Sequence, residues 1–185
     1  MMAAFSRNEH SLVERDCRLD YKLLRTGGVT LYWADRVLAE DLAWLRKEQY
    51  AIHEFDGSNW RVEDDFHDEV ANALQFPGYY GRNLNAFKDC MRDVEVSDDG
   101  GMVIVIRNIE AVERHAAARH DRKFLWDVLD ILDETTRGNL LFGRRFLTLL
   151  QSRNPARIPG IDFSGVGAAH VDWNPREWLN SDRGL

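Results

Sequence analysis

The stretch FPGYYGRNLNAFKDC, residues 76–90, joins a tight loop to the start of a helix. Pro77 fixes its own φ angle, and a glycine on each side of Tyr79 and Tyr80 tolerates backbone angles that other residues avoid. Asn83 can accept a hydrogen bond from the next backbone turn, which makes it the N-cap of the helix that follows. The stretch therefore predicts two aromatic rings on a constrained loop at the entrance to a helix.

That helix is predicted to be amphipathic. Leu84, Phe87 and Met91 recur at positions i, i+3 and i+7, which places them on one apolar stripe. The polar residues of the same segment fall on the opposite side, namely Asn85, Lys88, Asp89 and Arg92. The pattern favours a short helix that packs one side on a core and presents the other side to solvent or to a partner.

The tyrosine pair has two interpretations that the residues leave open. One of the rings could simply cover the edge of the core. Alternatively, Tyr79 and Tyr80 could form the aromatic centre of a protein interface, where tyrosine is enriched. In the second interpretation the loop is a recognition surface, although its sequence names no partner.

Length and composition indicate a folded chain. It has 185 residues, of which 44% are hydrophobic and 11% aromatic. These values suit one well-buried domain and exclude disorder throughout the chain. Residues 1–18 are polar and lack periodicity, so we expect a flexible N-terminal tail, and we expect residues 19–185 to form a single domain.

The chain is acidic, with a formal net charge of −7 from 24 Lys and Arg against 31 Asp and Glu. An acidic protein repels the phosphate backbone, so we expect no nucleic-acid partner. The same charge attracts a basic protein partner, although it could serve solubility alone.

Cysteine usage and hydropathy predict a cytoplasmic protein. Cys17 and Cys90 are too few for a disulfide framework, so we expect free thiols in a reducing compartment. No run of about 18 apolar residues occurs, which argues against a membrane span. The N-terminal residues also lack the hydrophobic centre of a secretory signal.

Segments typical of strands alternate with segments typical of helices. The predicted strands are 29–33, 50–55, 102–106 and 145–150, with a terminal edge strand at 168–173. The predicted helices are one capped by Asp35, then 62–74, the helix after Asn83, 124–137 and a turn at 174–178, while 109–121 is either helix or loop. The first strand–helix–strand order suggests a βαβ crossover with a parallel pair. We therefore predict an α/β fold with a mainly parallel sheet flanked by helices.

Residue patterns that support catalysis are absent from the sequence. None of the six histidines has the spacing of a zinc site, so structural or surface roles are favoured. Adjacent carboxylates at 64–65, 98–99 and 133–134 are typical of solvated faces rather than of acid–base pairs. No phosphate-binding glycine loop or serine nucleophile elbow occurs. We predict no catalytic residue, no metal, no cofactor and no enzyme activity.

The opening stretch also resembles a known family. Its loop and helix are similar to the signature of the barstar family, the intracellular inhibitors of barnase-type ribonucleases, in Phe76-Pro77, Tyr79-Tyr80-Gly81, Asn83-Leu84 and Asp89-Cys90. The similarity extends over about residues 50–151 and implies a small parallel sheet flanked by helices, without catalytic activity. The remaining segments look like the extensions of longer barstar-like proteins. We expect them to supply a strand–helix unit and an edge strand at the sheet margin.

The resemblance implies that a loop–helix surface, Tyr79–Arg92, enters the active site of a ribonuclease. Tyr79 matches the family's contact tyrosine, Asp89 its main inhibitory aspartate, and Glu134 a further acidic contact. The complete set of expected partner-binding residues is Tyr79, Tyr80, Gly81, Arg82, Asn83, Asn85, Lys88, Asp89, Arg92 and Glu134.

Three positions depart from the family pattern and make this face less acidic. Arg82 stands where the inhibitors have a glutamate, Asn85 where they have an aspartate, and Lys88 where they have a tryptophan. Two functions therefore remain: inhibition of a ribonuclease or related toxin, as an antitoxin or immunity protein, and a non-inhibitory protein-interaction module with a different partner. In both cases we expect a protein partner and a monomer when free.

Overall fold

Five parallel strands form one sheet in the computed structural model, which describes residues 4–5, 17–118, 123–153 and 171–177. The strands are β1 Val29–Tyr32, β2 Tyr50–Asp56, β3 Gly101–Arg107, β4 Phe146–Gln151 and β5 Val171–Trp173. Their order across the sheet is β2-β3-β4-β1-β5, and all neighbouring strands are parallel. The predicted α/β fold with a mainly parallel sheet is confirmed.

Helices cover both faces of the sheet. They are α1 Leu19–Thr26, α2 Asp35–Lys47, α3 Glu63–Ala73, α4 Leu84–Asp93, α5 Ile109–Ala118 and α6 Lys123–Leu141, with a short 3₁₀ turn at Gly57–Asn59. Helices α1 and α2 pack on one face, and α3 to α6 pack on the other. The segment interpreted as helix or loop is therefore helical as far as the end of α5. No helix within the described ranges has the length and apolar character needed to cross a membrane.

The central strands β3 and β4 are buried on both faces. Val103 and Val105 of β3 pack toward α1 and α2, whereas Ile104 and Ile106 pack toward the other four helices. Successive side chains of a strand point to opposite faces, so a strand between two helical layers is mainly apolar, although β4 also buries Thr148 and Gln151. This explains why largely apolar sequence predicted these two strands correctly.

An aromatic cluster beneath α3 and α4 positions the candidate site. Phe66 of α3 packs edge-on against Trp60, against Phe87 of α4 and against Phe124 of α6, with ring centroids 5.0, 5.1 and 5.4 Å apart. Each such pair contributes about 0.5–1.5 kcal/mol beyond the burial of its area. The cluster therefore holds the three helices in one arrangement.

The first strand lies inside the sheet and not at its margin. β1 pairs with β4 on one side and β5 on the other, with Val29 beside Thr148 and Val171. The prediction that the first two strands form a pair is wrong, because β3 and β4 lie between them. β1 is buried along its whole length, whereas β2 carries exposed side chains, so an interior position suits β1 and an edge suits β2.

Asp35 is the first residue of α2 and not its N-cap, which corrects the sequence prediction. Ala34 occupies the cap position and makes no side-chain hydrogen bond there. Instead, the buried carboxylate of Glu177 accepts hydrogen bonds from the backbone N–H groups of Trp33 and Ala34, at 3.0 and 2.7 Å. A carboxylate at this end of a helix satisfies free N–H groups and complements the helix dipole. The C-terminal segment thus caps α2.

The C-terminal edge strand is confirmed over Val171–Trp173, and residues 168–170 of that prediction lie outside the described residues. The turn predicted at 174–178 is present as far as residue 177. Of the tail predicted at 1–18, only residues 4–5 and 17–18 are described, so the flexible tail and the single domain stay predictions.

A buried carboxylate connects α1 to the sheet. Asp20 is fully buried and accepts hydrogen bonds from Tyr50 Oη at 2.7 Å and from Arg18 Nη2 at 2.8 Å, and Arg145 Nη1 lies 3.3 Å away. Burial opposes the ionisation of Asp20, but the hydrogen bonds from Arg18 and Tyr50 outweigh it and hold its pKa below the ordinary value. The N-terminal extension is thus attached to the sheet through a buried carboxylate. Removing one of its hydrogen-bond partners would leave a buried charge without compensation, which is destabilising.

Candidate functional site

The loop between α3 and α4 is a compact turn. Tyr80 N–H donates to the Pro77 carbonyl at 2.9 Å, and Phe76 N–H donates to the Ala71 carbonyl of α3 at the same distance. Tyr79 lies within this turn, with 87% of its surface exposed. The loop is constrained by these hydrogen bonds, as the sequence predicted, but Gly78 and Gly81 do not take the positive φ angles that glycine tolerates.

The end of the loop is tied to the first turn of α4. Asn83 Oδ1 accepts a hydrogen bond from Ala86 N–H at 2.9 Å, so the predicted N-cap is confirmed. Asn83 Nδ2 donates back to the Gly81 carbonyl at 3.0 Å. Arg82, which lies between Gly81 and Asn83, has a φ angle of +50°, a left-handed conformation that is uncommon outside glycine. The direction in which the chain enters α4 is therefore closely determined.

Tyr79 and Tyr80 have opposite environments. Tyr80 is half-buried, and its ring centroid lies 5.0 Å from that of Phe76 and 5.7 Å from that of His67. Its Oη lies 2.5 Å from His67 Nδ1, within hydrogen-bond distance. Burial raises the pKa of Tyr80 above its ordinary value, so its hydroxyl keeps its proton in neutral solution. Tyr80 therefore covers the edge of the core, while Tyr79 is left open to solvent.

The histidine beneath the loop belongs to the core. His67 of α3 is 1% exposed, and its ring lies 5.1 Å from that of Phe66 and 6.2 Å from that of Phe124. Burial lowers the pKa of His67. His67 thus has the structural role that the sequence favours for the histidines. In the sequence, its position next to Phe66 indicates that it is buried. Its partner Tyr80 could not be identified from sequence, because a loop separates the two residues.

Arg82 is bound to α3. Its Nη2 donates to Asp68 Oδ2 at 2.8 Å and lies 3.8 Å from Asp64 Oδ1. Both aspartates are exposed, so this attachment is partly screened by water. The sequence reasoning missed the two carboxylates because they belong to a different helix. The two aspartates neutralise the positive charge of Arg82, which stands where the family pattern has a glutamate.

Lys88 and Arg92 share the carboxylate of Glu134 on α6. Lys88 Nζ lies 2.5 Å from Glu134 Oε2, and Arg92 Nη2 lies 3.5 Å from Oε1. Arg92 Nη1 is also 3.5 Å from Asp89 Oδ1. The hydrogen bond from Lys88 holds the pKa of Glu134 below its ordinary value, so this carboxylate is ionised in neutral solution. Glu134, expected to contact a partner, is thus already engaged within the chain.

The outer side of α4 is polar, as predicted. Asn85, Asp89 and Arg92 are exposed and Lys88 is partly exposed, whereas Phe87 is buried. The Asp89 side chain is 74% exposed even with Arg92 beside it. Its carboxylate therefore remains available to a second cation.

Two neighbouring grooves run between α4 and α6. The first, of about 640 Å³, is lined by Leu84, Asn85, Lys88, Asp127, Asp130, Ile131, Glu134 and Arg137. The second, of about 500 Å³, shares Lys88 and Glu134 with the first and extends to Phe142 and Arg144. Carboxylates outnumber cationic groups in the first groove, which suits it to a positively charged side chain.

The expected partner-binding residues thus divide by role. Those from Tyr79 to Arg92 lie on one continuous loop and helix, and Glu134 joins them from α6 through its contact with Lys88. Tyr80 packs against the core, and Asn83 stays exposed but caps α4, so both support the loop. Within the described ranges, no three His, Cys, Asp or Glu side chains are grouped closely enough to hold a metal ion. The arrangement is suited to contact with another macromolecule through an aromatic ring, carboxylates and cations.

Comparison with known proteins shows that the loop and α4 lie within a region that matches a known family. The family described as Barstar (barnase inhibitor) matches residues 50–151. A protein of Bacillus subtilis (strain 168) named "Putative ribonuclease inhibitor YrdF" is 32% identical over 79 residues, which cover 43% of this chain and 78% of that protein. The matched region includes the loop, α4, α6 and the three strands β2, β3 and β4.

A solved structure is also similar, but weakly. It is named "Structure of Drosophila ORC bound to AT-rich DNA and Cdc6", with 10% identity and a TM-score of 0.46. The alignment covers 94% of this chain, and this chain spans 58% of the length of that one. A likeness of this size carries no inference about the function of this chain.

Proposed function

This chain belongs to the barstar family, and from that premise we propose that it binds a ribonuclease and inhibits it through the Tyr79–Arg92 surface. Barstar-family proteins are inhibitors and not enzymes. The observation that carries the proposal is Tyr79, which is 87% exposed on a loop that the rest of the site holds in place. A large exposed ring on a preorganised loop is the usual form of an interface hot spot.

The charges of this surface support a cationic partner. The three positive charges of the surface, Arg82, Lys88 and Arg92, are each matched by a carboxylate of the same chain. The three departures from the family pattern therefore do not turn the surface basic. With a net charge of −7 behind it, the surface attracts the basic groups with which a ribonuclease holds RNA phosphates.

The inhibition follows from steric and electrostatic complementarity. Long-range attraction orients the two proteins, and Asp89 then accepts charge-assisted hydrogen bonds from Arg or Lys of the enzyme. Tyr79 packs into the active-site cleft and excludes the RNA. No covalent step is needed, and we infer that the free chain is a cytoplasmic monomer.

The test is inhibition of barnase-type ribonucleases by the purified chain. We expect inhibition at micromolar concentration or below, and loss of at least about 2 kcal/mol of binding free energy in Asp89→Ala and in Tyr79→Ala. Asp35→Ala is the matched control, since it removes an exposed aspartate at the start of α2 on the opposite face of the sheet. The enzymes tested should include any ribonuclease that a neighbouring gene encodes. If none of these ribonucleases is inhibited, the proposal fails.

A second candidate function is a non-inhibitory interaction module. It is favoured by the engagement of Glu134 with Lys88 and Arg92, which leaves that carboxylate less available to a basic enzyme. Affinity purification would then recover a partner without nuclease activity, and Lys88→Gln and Arg92→Gln would abolish its binding. Binding that depends on Asp89 but not on these two cations would instead support the ribonuclease.

A further inference from the structure

We propose that His67 is the positioning residue of the recognition loop: it holds Tyr79 in place through Tyr80 and releases the loop when its ring gains a proton. The effect on partner binding rests on the proposed function, whereas the effect on the loop is a property of the free chain. Nothing in the family comparison assigns a role to His67.

The contact between α3 and the loop is formed by two side chains. Tyr80 Oη lies 2.5 Å from His67 Nδ1, and the two rings pack edge-on at 5.7 Å. Tyr80 directly follows Tyr79, so the same contact limits where the exposed ring can go. The loop is also connected to α3 by the exposed ion pair of Arg82 with Asp68, which water weakens, and by the backbone bond from Phe76 N–H to the Ala71 carbonyl, which lies ahead of the tyrosines. The buried contact therefore carries most of the positioning.

The second ring nitrogen of His67 makes this contact sensitive to protonation. Nε2 is buried and has no hydrogen-bond partner among the described residues. The neutral ring leaves one polar atom unsatisfied, which is tolerable. The imidazolium form, however, places a charged N–H donor where the described residues provide no acceptor, and burying such a group is costly. A protonated ring has to turn toward water and leave Tyr80.

The charged and titratable groups around His67 come from three elements. Asp64 and Asp68 lie on its own helix, Arg82 lies on the loop, and Cys90 of α4 is near enough to Tyr80 to raise the pKa of its hydroxyl. From α6 the ring contact is Phe124, which is apolar. The two aspartates favour the imidazolium, whereas burial and Arg82 oppose it, and burial is the largest effect.

The sign of the pH dependence follows from this balance. In the closed state of the loop the His67 ring is buried against Tyr80, and its pKa is lower than the ordinary 6.5. The closed state therefore binds the proton less well than an open state in which the ring is in water. The closed loop is thus fully favoured above pH 6.5. It is progressively lost as the pH falls from 6.5 through the folded pKa. Binding weakens with it, because only the fraction of molecules with a closed loop binds without rearrangement.

The first experiment uses the free chain and needs no partner. NMR of the His67 ring nitrogens from pH 7.5 to 4.5 reports protonation, and heteronuclear NOE values of the Gly78, Tyr79 and Gly81 amides report loop order. We expect the loop to be as ordered as α4 at pH 7.5 and to become mobile as His67 titrates. Tyr80→Phe should be mobile at both pH values. His53→Gln, on β2, should behave as the unchanged chain.

Three results would overturn the inference. One is a loop that stays ordered in Tyr80→Phe, the second is a loop that stays ordered while His67 titrates, and the third is a ring that remains neutral down to pH 4.5. Because Tyr80→Phe removes one hydroxyl and keeps the ring, it should fold, and far-UV circular dichroism of the variant verifies this. None of these readouts depends on whether a ribonuclease is inhibited.

The second experiment measures affinity for an inhibited ribonuclease at pH 7.5 and 5.0. The titration of the enzyme itself cancels in the ratio of affinities between the unchanged chain and Tyr80→Phe at each pH. We expect the unchanged chain to bind about tenfold more tightly than Tyr80→Phe at pH 7.5, and the two to converge at pH 5.0. A ratio that does not change with pH would mean that Tyr80 acts in binding independently of His67. It would refute the proposal that protonation of His67 releases the loop.

Discussion

At the scale of single residues, the surface of α4 is a set of internal ion pairs. Lys88 and Arg92 meet the carboxylate of Glu134, and Arg82 meets Asp68, so each added cation has an acidic neighbour in the same chain. Exposed pairs of this kind contribute about 0–1 kcal/mol to folding. Their larger effect is on recognition, because a partner has to match a surface of paired charges rather than a uniformly acidic one.

The pair of Lys88 and Glu134 gives a prediction about charge. In Lys88→Gln the pKa of Glu134 should rise toward its ordinary value, because its main hydrogen bond and a positive charge are lost. The free energy of unfolding should change by less than about 1 kcal/mol. Affinity for a cationic ribonuclease should rise by about tenfold, because a like charge is removed from the interface.

The measurements are a carboxyl carbon NMR titration of Glu134 and calorimetric titration of the complex. Lys47→Gln, which removes an exposed lysine at the end of α2, provides the matched control. Weaker binding of Lys88→Gln would contradict the expectation and would show that Lys88 itself contacts the partner.

Some of the residue roles could be predicted from the sequence and others could not. The N-cap Asn83 and the exposed side of α4 follow from local spacing, because both depend on residues within one helix. The different environments of Tyr79 and Tyr80 depend on His67, which a loop separates from them. The partners of Glu134 and Arg82 likewise come from other helices, so no period within one segment reveals them.

At the scale of elements, α4 is attached through its apolar stripe to α3 and α6. Phe87 is 1% exposed and packs against Phe66 at 5.1 Å, and Met91 is fully buried below it. The polar side of the helix makes only exposed contacts. The position of the candidate interface is therefore set by core packing rather than by surface charge.

Phe87→Ala should accordingly destabilise the fold by about 3–5 kcal/mol, because it opens a cavity among aromatic rings. Phe87→Leu should cost clearly less, since it keeps most of the volume. Urea unfolding followed by tryptophan fluorescence measures both, and Phe142→Ala, which truncates an exposed ring, should change stability little. A cost below about 1 kcal/mol for Phe87→Ala would contradict the packing described for α4.

The elements differ in how well the sequence predicted them. Strands β3 and β4 and helix α4 were predicted closely, because each carries its own period or apolar run. The place of β1 in the sheet was not, since strand order depends on contacts between distant segments. The start of α2 was also misassigned, because its capping carboxylate, Glu177, lies far along the chain.

At the scale of the whole molecule, the described parts of the two extensions are joined to each other by a buried carboxylate. Asp41 of α2 is buried and accepts hydrogen bonds from Tyr32 Oη at 2.9 Å and from Asn174 Nδ2 at 3.0 Å, and it also pairs with Arg176. Together with Glu177, these contacts join the C-terminal segment to α2. The described residues on the two sides of the matched region 50–151 thus contact each other, and β1 joins them to the sheet beside β4.

Glu177→Gln should therefore lower the free energy of unfolding by about 1–3 kcal/mol. The amide has one acceptor oxygen, so one of the two partly buried N–H groups at the start of α2 loses its partner. Urea unfolding measures the change, and Glu95→Gln at an exposed position serves as control. Equal stabilities of the two variants would show that the C-terminal segment does not cap α2.

Asp20 predicts how stability responds to acid. Its folded pKa is below the unfolded value of 3.8, so its contribution is complete above that pH and is lost as the pH falls through the folded pKa. Asp20→Asn should cost about 3 kcal/mol or more at pH 7, because Arg18 and Arg145 lose a buried partner. It should also flatten the decline in stability below pH 4, as measured by thermal unfolding across pH 2–7. An unchanged decline would assign the acid sensitivity to other groups.

The interior position of β1 has a consequence for how the chain folds as it is synthesised. Val29 is made early but pairs with Thr148 and Val171, which leave the ribosome much later. Through most of translation this fully buried strand has no neighbouring strand, although α1 and α2 can already pack against it. Pairings between such distant segments form slowly. We therefore expect the sheet to be completed from β2 toward β5, with the first strand of the chain among the last to be enclosed.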